Sequence, residues 1–564
     1  MGTQTRVLRL RPVVHASPTA DGLHLRGARS SFTATGGPGL WKLWQALSIA
    51  LAEGRPVRRL IDSTAQPNVR AALSALLTQL REHDMLVEVP PGWGETGRPD
   101  EPPYRIARWL ESVAPDPVEA WRRIGSTEVA IEGTGPVAVA AARALTAAGA
   151  APRRGVGPGR HGLLTAGQTA VAAAADPHVG FVTPVGSPTA VRRDAQAIAE
   201  RVGLTDRAAP DVLAALAGGA AAHRLICAVA GLPDPAEDRL AARVTPARGL
   251  PSAMIARLDP LRAEYHPWLT GDASNEAPRA ASGDSRLDLA EALSAVEHLT
   301  DPELGVLPAV RLDDLPQVPV ALAECQAGAD PVCGVGPDAA TARLVAVTAA
   351  AERAIGGVDA DRIAVGADPV HADGVLLRRL IHRYHPLPDG DEVPDQEWAT
   401  AAPARAWWKA LTLRFGVPAV LRVRRLAPDV FHAQANSGNR TLSWAVERTA
   451  ADAAAFCALA AAGVVQWRTA RTATPDDGLI GQPTRVHAAC GALPRSTEVA
   501  GQNHRPWQTG VWIWPAQLAD HEAEFQDRLR RLLRGRIPLP APVPDEALTR
   551  ALAAVGFVVR AVRP

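Results

Sequence analysis

Residues 343–355 read "RLVAVTAAAERAI", an amphipathic helix that closes on the adjacent pair Glu352 and Arg353. Several carboxylates must converge to hold magnesium against a triphosphate, because the ion takes near-octahedral oxygen ligands and the phosphate charge has to be neutralised. This helix offers one. Whether the chain is a catalyst or the helper of one turns on that shortage.

The surroundings narrow the class. At 564 residues the chain is too long for one core, and two to four domains are expected. A 47% hydrophobic, 21% charged composition is that of a globular protein, and a net charge of +1 gives no global field for nucleic acid or an anionic membrane. Arg greatly outnumbers Lys, and Ala, Gly and Pro abound, so Ala-rich helices carry little information on their own. The opening "MGTQTRVLRLRPVV" reads as a strand and not as a targeting signal, and the apolar run "AADAAAFCALAAAGVV" is short for a membrane span, so a cytoplasmic location is expected. Five dispersed cysteines without any C-x-x-C spacing argue against a disulfide framework or a zinc clasp and read as small buried hydrophobes.

Composition divides the chain into three. In the first part, "RVLRLRPVVHA", "GLHLRG" and "RSSFTAT" are short strands, followed by helices at "GLWKLWQALSIALAEG", "RPVRRLIDST" and "QPNVRAALSALLTQLREHD" and a last strand at "MLVEVP". Three strands, three helices and a small wing describe a winged helix-turn-helix over residues 1–92. Its third helix carries Val69, Leu73, Leu76 and Leu80 as an inward stripe, leaving Asn68, Ala71, Ala75 and Thr78 outward. Small uncharged side chains suit an apolar contact better than a phosphate backbone. The strand Ser30, Ser31, Phe32, Thr33, Ala34 offers an edge that a peptide can join by strand addition. Packing of this face on the rest of the chain and DNA binding are the competing readings. Either set of side chains on the strand fits a ligand, since Phe32 fits the module's core equally well.

A Pro/Gly-rich stretch, "PPGWGETGRPDEPP", opens a linker expected over 93–125. From 126 to 270, "STEVAIEGTGPVAVAAARALTAAGA" gives a strand, Gly133-Thr134-Gly135 and an Ala-rich helix, the start of a Rossmann-type α/β domain. The lone G-x-G is weak, and the acid that would hold a ribose is missing from the following "PRRGVGPGRHGLLTAG". After a small-residue stretch at 270–285 the third part runs from 284 to 564.

In that third part a helix, Gly305, strands and a Gly-containing turn lead into the helix of residues 343–355, and the whole resembles the start of a YcaO domain. Members of that family are ATP-dependent and activate a backbone amide so that a Cys, Ser or Thr side chain cyclises onto it. Their helix reads Ser-Ala-x-x-Glu-Ala-x-Glu-Arg; here the frame is Val345 to Arg353, with Val345 for the serine, Ala349 for the first glutamate, and only Glu352 and Arg353 kept. "DRIAVGADPVHADGVLLRRLIHRYHP" resembles the second signature but ends in His382, Arg383 and Tyr384 without an acid. "DVFHAQANSGNRTLSWAVERTAADAAAF" resembles the third, with Glu447 as a remnant. His382 and His385 have the spacing of two metal ligands without a third. The tail "PLPAPVP" at 538–544 is followed by twenty further residues, unlike the Pro-rich end of active members.

Taken in order, the chain resembles the leader-peptide-binding partner proteins of thiazole/oxazole-modified (TOMM) peptide cyclodehydratases, the ocin-ThiF type. The resemblance implies an α/β multidomain fold: a winged helix-turn-helix RiPP recognition element, an E1/ThiF-like Rossmann-type domain and a degenerate YcaO-like α+β domain. It implies a scaffold without catalytic residues, cofactor or metal, which takes a precursor peptide by its leader along Ser30, Ser31, Phe32, Thr33, Ala34, Asn68, Ala71, Ala75 and Thr78. Glu352 and Arg353 are then a vestigial nucleotide site. The implied partners are the precursor peptide and a separate YcaO cyclodehydratase in thiopeptide or linear azole biosynthesis. An azoline dehydrogenase and a second copy of the chain are further partners it admits, nucleic acid and membrane are not. The alternatives are a divergent ATP-using cyclodehydratase and, behind it, a DNA-binding regulator.

Overall fold

A computed structural model describes residues 6–37, 39–56, 61–62, 64–95, 101–155, 161–237, 250–269, 287–384, 391–471, 486–488, 493, 518–534, 541–542 and 547–562. The chain divides into two units, Met1–Asp238 with Ala253–Tyr265, and Arg239–Ser252 with His266–Pro564. It is an α/β multidomain protein with one large mixed sheet.

The first unit starts with β1 (Val7–Leu10), β2 (His15–Thr19), β3 (Gly22–Arg26) and β4 (Ser31–Thr35). The sequence reading of "RVLRLRPVVHA" as one strand is corrected here. Pro12 cannot donate to a ladder, the chain turns at Pro12 and Val13 with Val14 N–H bonded back to Arg11 O (3.1 Å), and the two halves join different sheets. β1 pairs with β5 (Leu86–Val89), and β2-β3-β4 form an antiparallel sheet with β4 at its edge. Between them lie α1 (Gly39–Ala52) and α2 (Pro67–Glu82). Leu40, Trp44, Leu47 and Leu51 of α1 meet Leu73, Leu76, Leu77 and Leu80 of α2 over Leu23 and Leu25 of β3. The expected short helix at 55–64 falls largely outside the described residues.

The expected linker over 93–125 is instead two helices, α3 (Tyr104–Val113) and α4 (Pro117–Ser126). Their apolar faces, Ala107, Leu110, Ala120 and Ile124, join the unit's main core, and Asp116 caps α4 by accepting from the Val118 and Glu119 amides. Arg9 and Arg11, both 5% exposed, fasten β1 to α3. Arg9 reaches Glu111 (3.1 Å) and Arg11 donates to the carbonyls of Glu111 and Ala114 (both 2.8 Å) at the negative end of the helix.

The large sheet has the order β12-β11-β10-β9-β8-β6-β7, from β6 (Glu128–Glu132), β7 (Ala151–Gly155), β8 (Gly162–Ala166), β9 (Thr169–Ala175), β10 (Val179–Val182), β11 (Ser252–Leu258) and β12 (Leu261–Pro267). Helices α5 (Pro136–Ala147), α6 (Pro188–Val202) and α7 (Asp211–Ala230) pack on it. The strand–glycine–helix start expected of a Rossmann-type α/β domain is present, and of the ladders described in this sheet only β6–β7 is parallel. β8 turns back antiparallel beside β6, and its entry lies over the glycine turn: a Cβ on Gly133 (φ +121°) would sit 3.3 Å from His161 O.

The second unit holds α8 (Leu289–Leu299), then β13 (Ala321–Ala327) and β14 (Asp330–Gly336), which form a hairpin with α9 (Ala339–Gly356) across it. There follow β15 (Ile363–Gly366), α10 (Pro369–Tyr384), β16 (Asp391–Glu392), α11 (Asp395–Ala399) and α12 (Ala402–Lys409). The antiparallel strands β17 (Val420–Ala427), β18 (Val430–Ser437) and β19 (Arg440–Glu447) lead into α13 (Ala450–Arg471), β20 (Val486–Ala488), α14 (Glu522–Leu533), β21 (Ala541–Pro542), α15 (Ala547–Ala554) and β22 (Val558–Ala561). Asp288 and Glu291 form a complete capping box at the start of α8.

Two helices, Asp211–Ala230 and Ala450–Arg471, are long and apolar enough to cross a membrane. The second is longer than its sequence run suggested, and 83% of its apolar window is buried inside the unit. Four cysteines, Cys227, Cys325, Cys333 and Cys457, are free and buried, and Cys490 lies outside the described residues.

The helix that carries Glu352, α9, is buried along most of its length and can lie close to β14 because the strand carries glycine where they touch. A Cβ on Gly334 would meet Ala342 O and Ala346 N at 2.3 Å, and one on Gly336 would meet Ala342 N at 2.7 Å. Backbone on both sides leaves nothing to swing away. Gly334→Ala should therefore destabilise the second unit by about 3 kcal/mol, at the upper end of overpacking costs. Chemical denaturation of the full chain followed by tryptophan fluorescence measures it.

Candidate functional site

Two places collect the residues that the sequence singles out. The first is a groove of about 550 Å3 between β4 and α2, lined by Phe32, Thr33, Ala34, Thr35 and Gly36, by Gly39, Leu40 and Leu43 of α1, and by Asn68, Val69, Ala72, Ala75, Leu76 and Gln79. None of these described side chains carries a charge. β4 alternates exposed and half-buried along Ser31 to Thr35, and Phe32 and Ala34 are the half-buried set, packed on the module's core. That resolves the strand's two faces, and Phe32 serves both core and groove.

The main chain of β4 is directed as well. Gly27 N–H donates to Ser30 O (2.9 Å) and Gly36 N–H to Asp21 O (2.8 Å), both across to the β3 side. Antiparallel pairing alternates, so Phe32 and Ala34 also bond to β3, and Ser31, Thr33 and Thr35 turn their N–H and C=O outward along the edge. The strand is pinned at its start: Ser30 donates to His83 O (2.8 Å), and Phe32 stacks on His83 at 4.6 Å.

Of the sequence-predicted residues, the groove brings together Phe32, Thr33, Ala34, Asn68 and Ala75. Ser30 is spent on His83, Ser31 contributes an edge amide and not a wall, and Ala71 and Thr78 are exposed outside the lining. The helix is turned by about one residue from the expected face. Two stripes start at Asn68, through 71, 75 and 78 or through 72, 75 and 79, and the second is the one that lines the groove. Leu40 and Leu43 were missed because nothing local ties α1 to the strand before it.

The second place is in the core of the other unit. Glu352 is 3% exposed; its Oε1 accepts from Val365 N–H (3.0 Å) and its Oε2 from Arg379 (2.7 Å). Burial pushes its carboxyl up, against the opposing pull of Arg379. Arg353 pairs instead with Asp330 (3.3 Å). Glu352 is thus no surface remnant but a tie between α9, β15 and α10.

Next to it on α10, Arg378 lies between two carboxylates. Its Nε and Nη2 bond to Glu447 (3.0 and 2.8 Å), and its Nη1 and Nη2 to Glu522 (2.5 and 2.8 Å); all three side chains are at most 2% exposed. Gln526 adds a bond to Glu522 (2.9 Å). Burial lifts Glu447 to about 7, whereas Glu522, also bonded by Gln526, is held low by Arg378. One guanidinium between two carboxylates leaves one negative charge in excess, and Glu447 is the member that takes up the proton. His371, buried beside them and pushed down to about 4 by burial, accepts from Ala367 N–H (3.2 Å) and is neutral.

These residues do not fit a magnesium–nucleotide cluster: every carboxylate oxygen of Glu352, Glu447 and Glu522 already accepts an N–H. His382 stacks on Trp444 (4.2 Å) and bonds to His432 (3.0 Å), while His385 lies outside the described residues. Among the described residues no group of three His, Cys, Asp or Glu side chains converges as a metal site. The sequence could flag Glu447, but Arg378 and Glu522 lie 144 residues apart and had no shared signal.

Comparison with known proteins places the fold. No family model matches the chain, and no curated protein does. Its fold is similar to that of a solved heterocyclase. A solved "Heterocyclase in complex with substrate and Cofactor" matches over 99% of this chain and 94% of its own, at 11% identity and a TM-score of 0.55. The heterocyclase TruD matches with the same coverage at 13% identity and a TM-score of 0.48. E. coli MccB, solved with AMPCPP and MccA, is similar to 46% of the chain over 96% of its own length, at 10% identity and a TM-score of 0.32. At such identities the first likeness concerns the fold alone, and the other two are too remote to argue from.

The raised carboxyl of Glu447 has a measurable sign. Its pKa is higher folded (about 7) than the ordinary 4.5, so its contribution to stability is complete below pH 4.5 and is lost as pH rises through 7. Glu447→Gln imitates the protonated form. The wild type should lose melting temperature relative to this variant between pH 5 and pH 8, read by differential scanning fluorimetry; a constant difference across that range would show that Glu447 does not titrate there.

Proposed function

We propose that the chain is a non-catalytic scaffold that captures a ribosomal precursor peptide by its leader and presents it to a separate ATP-dependent YcaO cyclodehydratase. The observation that carries this reading is the open β4 edge standing over an uncharged groove. An extended peptide gains main-chain hydrogen bonds from Ser31, Thr33 and Thr35, and side chains on alternate positions enter between Phe32 and the Asn68–Ala72–Ala75–Gln79 stripe. In this reading residues 1–92 are a winged-helix RiPP recognition element, 126–270 an E1/ThiF-like domain and 284–564 a degenerate YcaO-like domain. The heterocyclase fold of the whole chain supports a place in azoline-forming peptide biosynthesis in the cytoplasm. The saturated carboxylates of Glu352, Glu447 and Glu522 support the lack of a nucleotide site of its own.

The same fold likeness, extending over the whole chain, favours one second reading, a divergent cyclodehydratase that acts on the peptide itself. Phosphate release separates the two. The purified chain with precursor should hydrolyse no ATP above background, and precursor-stimulated hydrolysis would establish the second reading.

Leader binding tests the groove. Ala75→Glu introduces a charge at an exposed wall position, leaves the core stripe intact, and should weaken leader affinity by on the order of 2 kcal/mol or more. Thr33→Pro removes an outward N–H without breaking a main-chain bond of the β3–β4 ladder, although it also removes the hydroxyl bonded to His24 (2.9 Å), and should weaken binding as well. Fluorescence polarisation with a labelled leader measures both, with circular dichroism to confirm folding. Wild-type affinity in both folded variants would place the leader elsewhere.

A further inference from the structure

A surface of one charge sign lies in the second unit, along α12 and the turn that follows it. Residues 402–422 carry Arg405, Lys409, Arg414 and Arg422 and no acid. Residues 436–446 and 465–471 add Arg440, Arg468 and Arg471, again without an acid. Arg471 is taken up by Glu324 (2.7 Å), but none of the other six forms an ion pair among the described residues. Elsewhere in this unit surface arginines find carboxylates, Arg425 at Glu397 (3.9 Å) and Arg530 at Asp527 (3.0 Å), and protein surfaces ordinarily intersperse both signs.

The helix sets the spacing. Ala404 and Trp407 turn the inner side of α12 into the core that it shares with α13, so Arg405 and Lys409 stand exposed on the outer side, one turn apart. The helix then widens into a π turn over Ala410–Arg414, where Phe415 N–H reaches back to Ala410 O (3.0 Å). Such turns are rare and recur at functional sites. This one leaves Leu413 75% exposed as the next member of the same stripe, with exposed Arg414 beside it. The chain runs on to Val420, 56% exposed, which pairs with Asn436 next to the turn that opens β19 at Arg440. Burial and the nearby Arg440 both lower Arg468 below the ordinary arginine range, a like-charge contact that no described carboxylate relieves.

We infer that this face docks an acidic helix of a partner protein, with carboxylates one turn apart opposite Arg405 and Lys409 and an apolar side chain over Leu413. Charge steers and orients such a partner, and Leu413 adds apolar burial that a purely ionic contact lacks. A helix face has no free main-chain donors or acceptors, so a partner whose own backbone bonds are internal fits it better than an extended strand. Nucleic acid would set Leu413 and Val420 against phosphate, and a membrane surface calls for a broader apolar face than these two side chains. The inference is independent of the leader groove, which belongs to the first unit.

Fluorescence anisotropy of the full chain with a labelled Ala-based helical peptide tests it, the peptide carrying Glu one turn apart and Leu on the next turn. The peptide should bind the wild type, and added salt should weaken it. Arg405→Glu combined with Lys409→Glu should raise the dissociation constant about tenfold or more, since each reversal turns an attraction into a repulsion. The same variant should bind a peptide with Lys in place of Glu, which the wild type should not. Leu413→Gln should weaken binding about threefold with every charge kept. All three positions are exposed, and circular dichroism must show each variant folded. A wild type that does not bind the acidic peptide overturns the proposal, and so does an affinity that the double reversal or Leu413→Gln leaves unchanged. Tighter binding of phosphatidylglycerol vesicles or of a single-stranded oligonucleotide than of the peptide overturns it as well.

Discussion

Buried guanidinium groups hold distant parts of this chain together, and Arg378, whose three nitrogens all find acceptors, does so most completely. Arg378 joins α10 to the end of β19 and to α14 through Glu447 and Glu522, bringing residues 69 and 144 positions away into one contact. Arg379 and Glu352 tie the same helix to α9. Removing one partner from such a cluster leaves an uncompensated charge in the core, at about 3–5 kcal/mol, so these contacts resist change piece by piece. Arg fits the task because its planar fork bonds two carboxylates at once.

The same saturation bears on chemistry. A carboxylate that is buried and accepts an N–H at each oxygen has its geometry fixed by the guanidinium and is closed to a hydrated ion. The second unit has used these acids as structure. In the first unit, the β4 edge stands beside a groove whose described lining carries no charge.

Much of the local structure was legible. The strands around "GLHLRG" and "RSSFTAT", the helix with Leu73, Leu76 and Leu80, and the helix ending on Glu352 and Arg353 follow from periodicity. The groove residues Phe32, Thr33, Ala34, Asn68 and Ala75 were legible as a strand and a helix face. Ala72 and Gln79 were not, since two stripes fit the same helix and only contact with β4 chooses between them.

Sequence by itself determined most helices and strands of the first module and the helix ending on Glu352 and Arg353, and that the cysteines lack paired spacing. Tertiary structure alone decided that residues 104–126 form packed helices and not a linker, because Arg9 and Arg11 reach them from about a hundred residues away. It also decided that β8 returns antiparallel over the glycine turn, and that Glu352 is a buried tie and not an exposed remnant. The physical reason is common to all three. Periodicity reports on neighbours within a turn or a strand, whereas burial, charge pairing and sheet order are set by residues that meet only when the chain has folded.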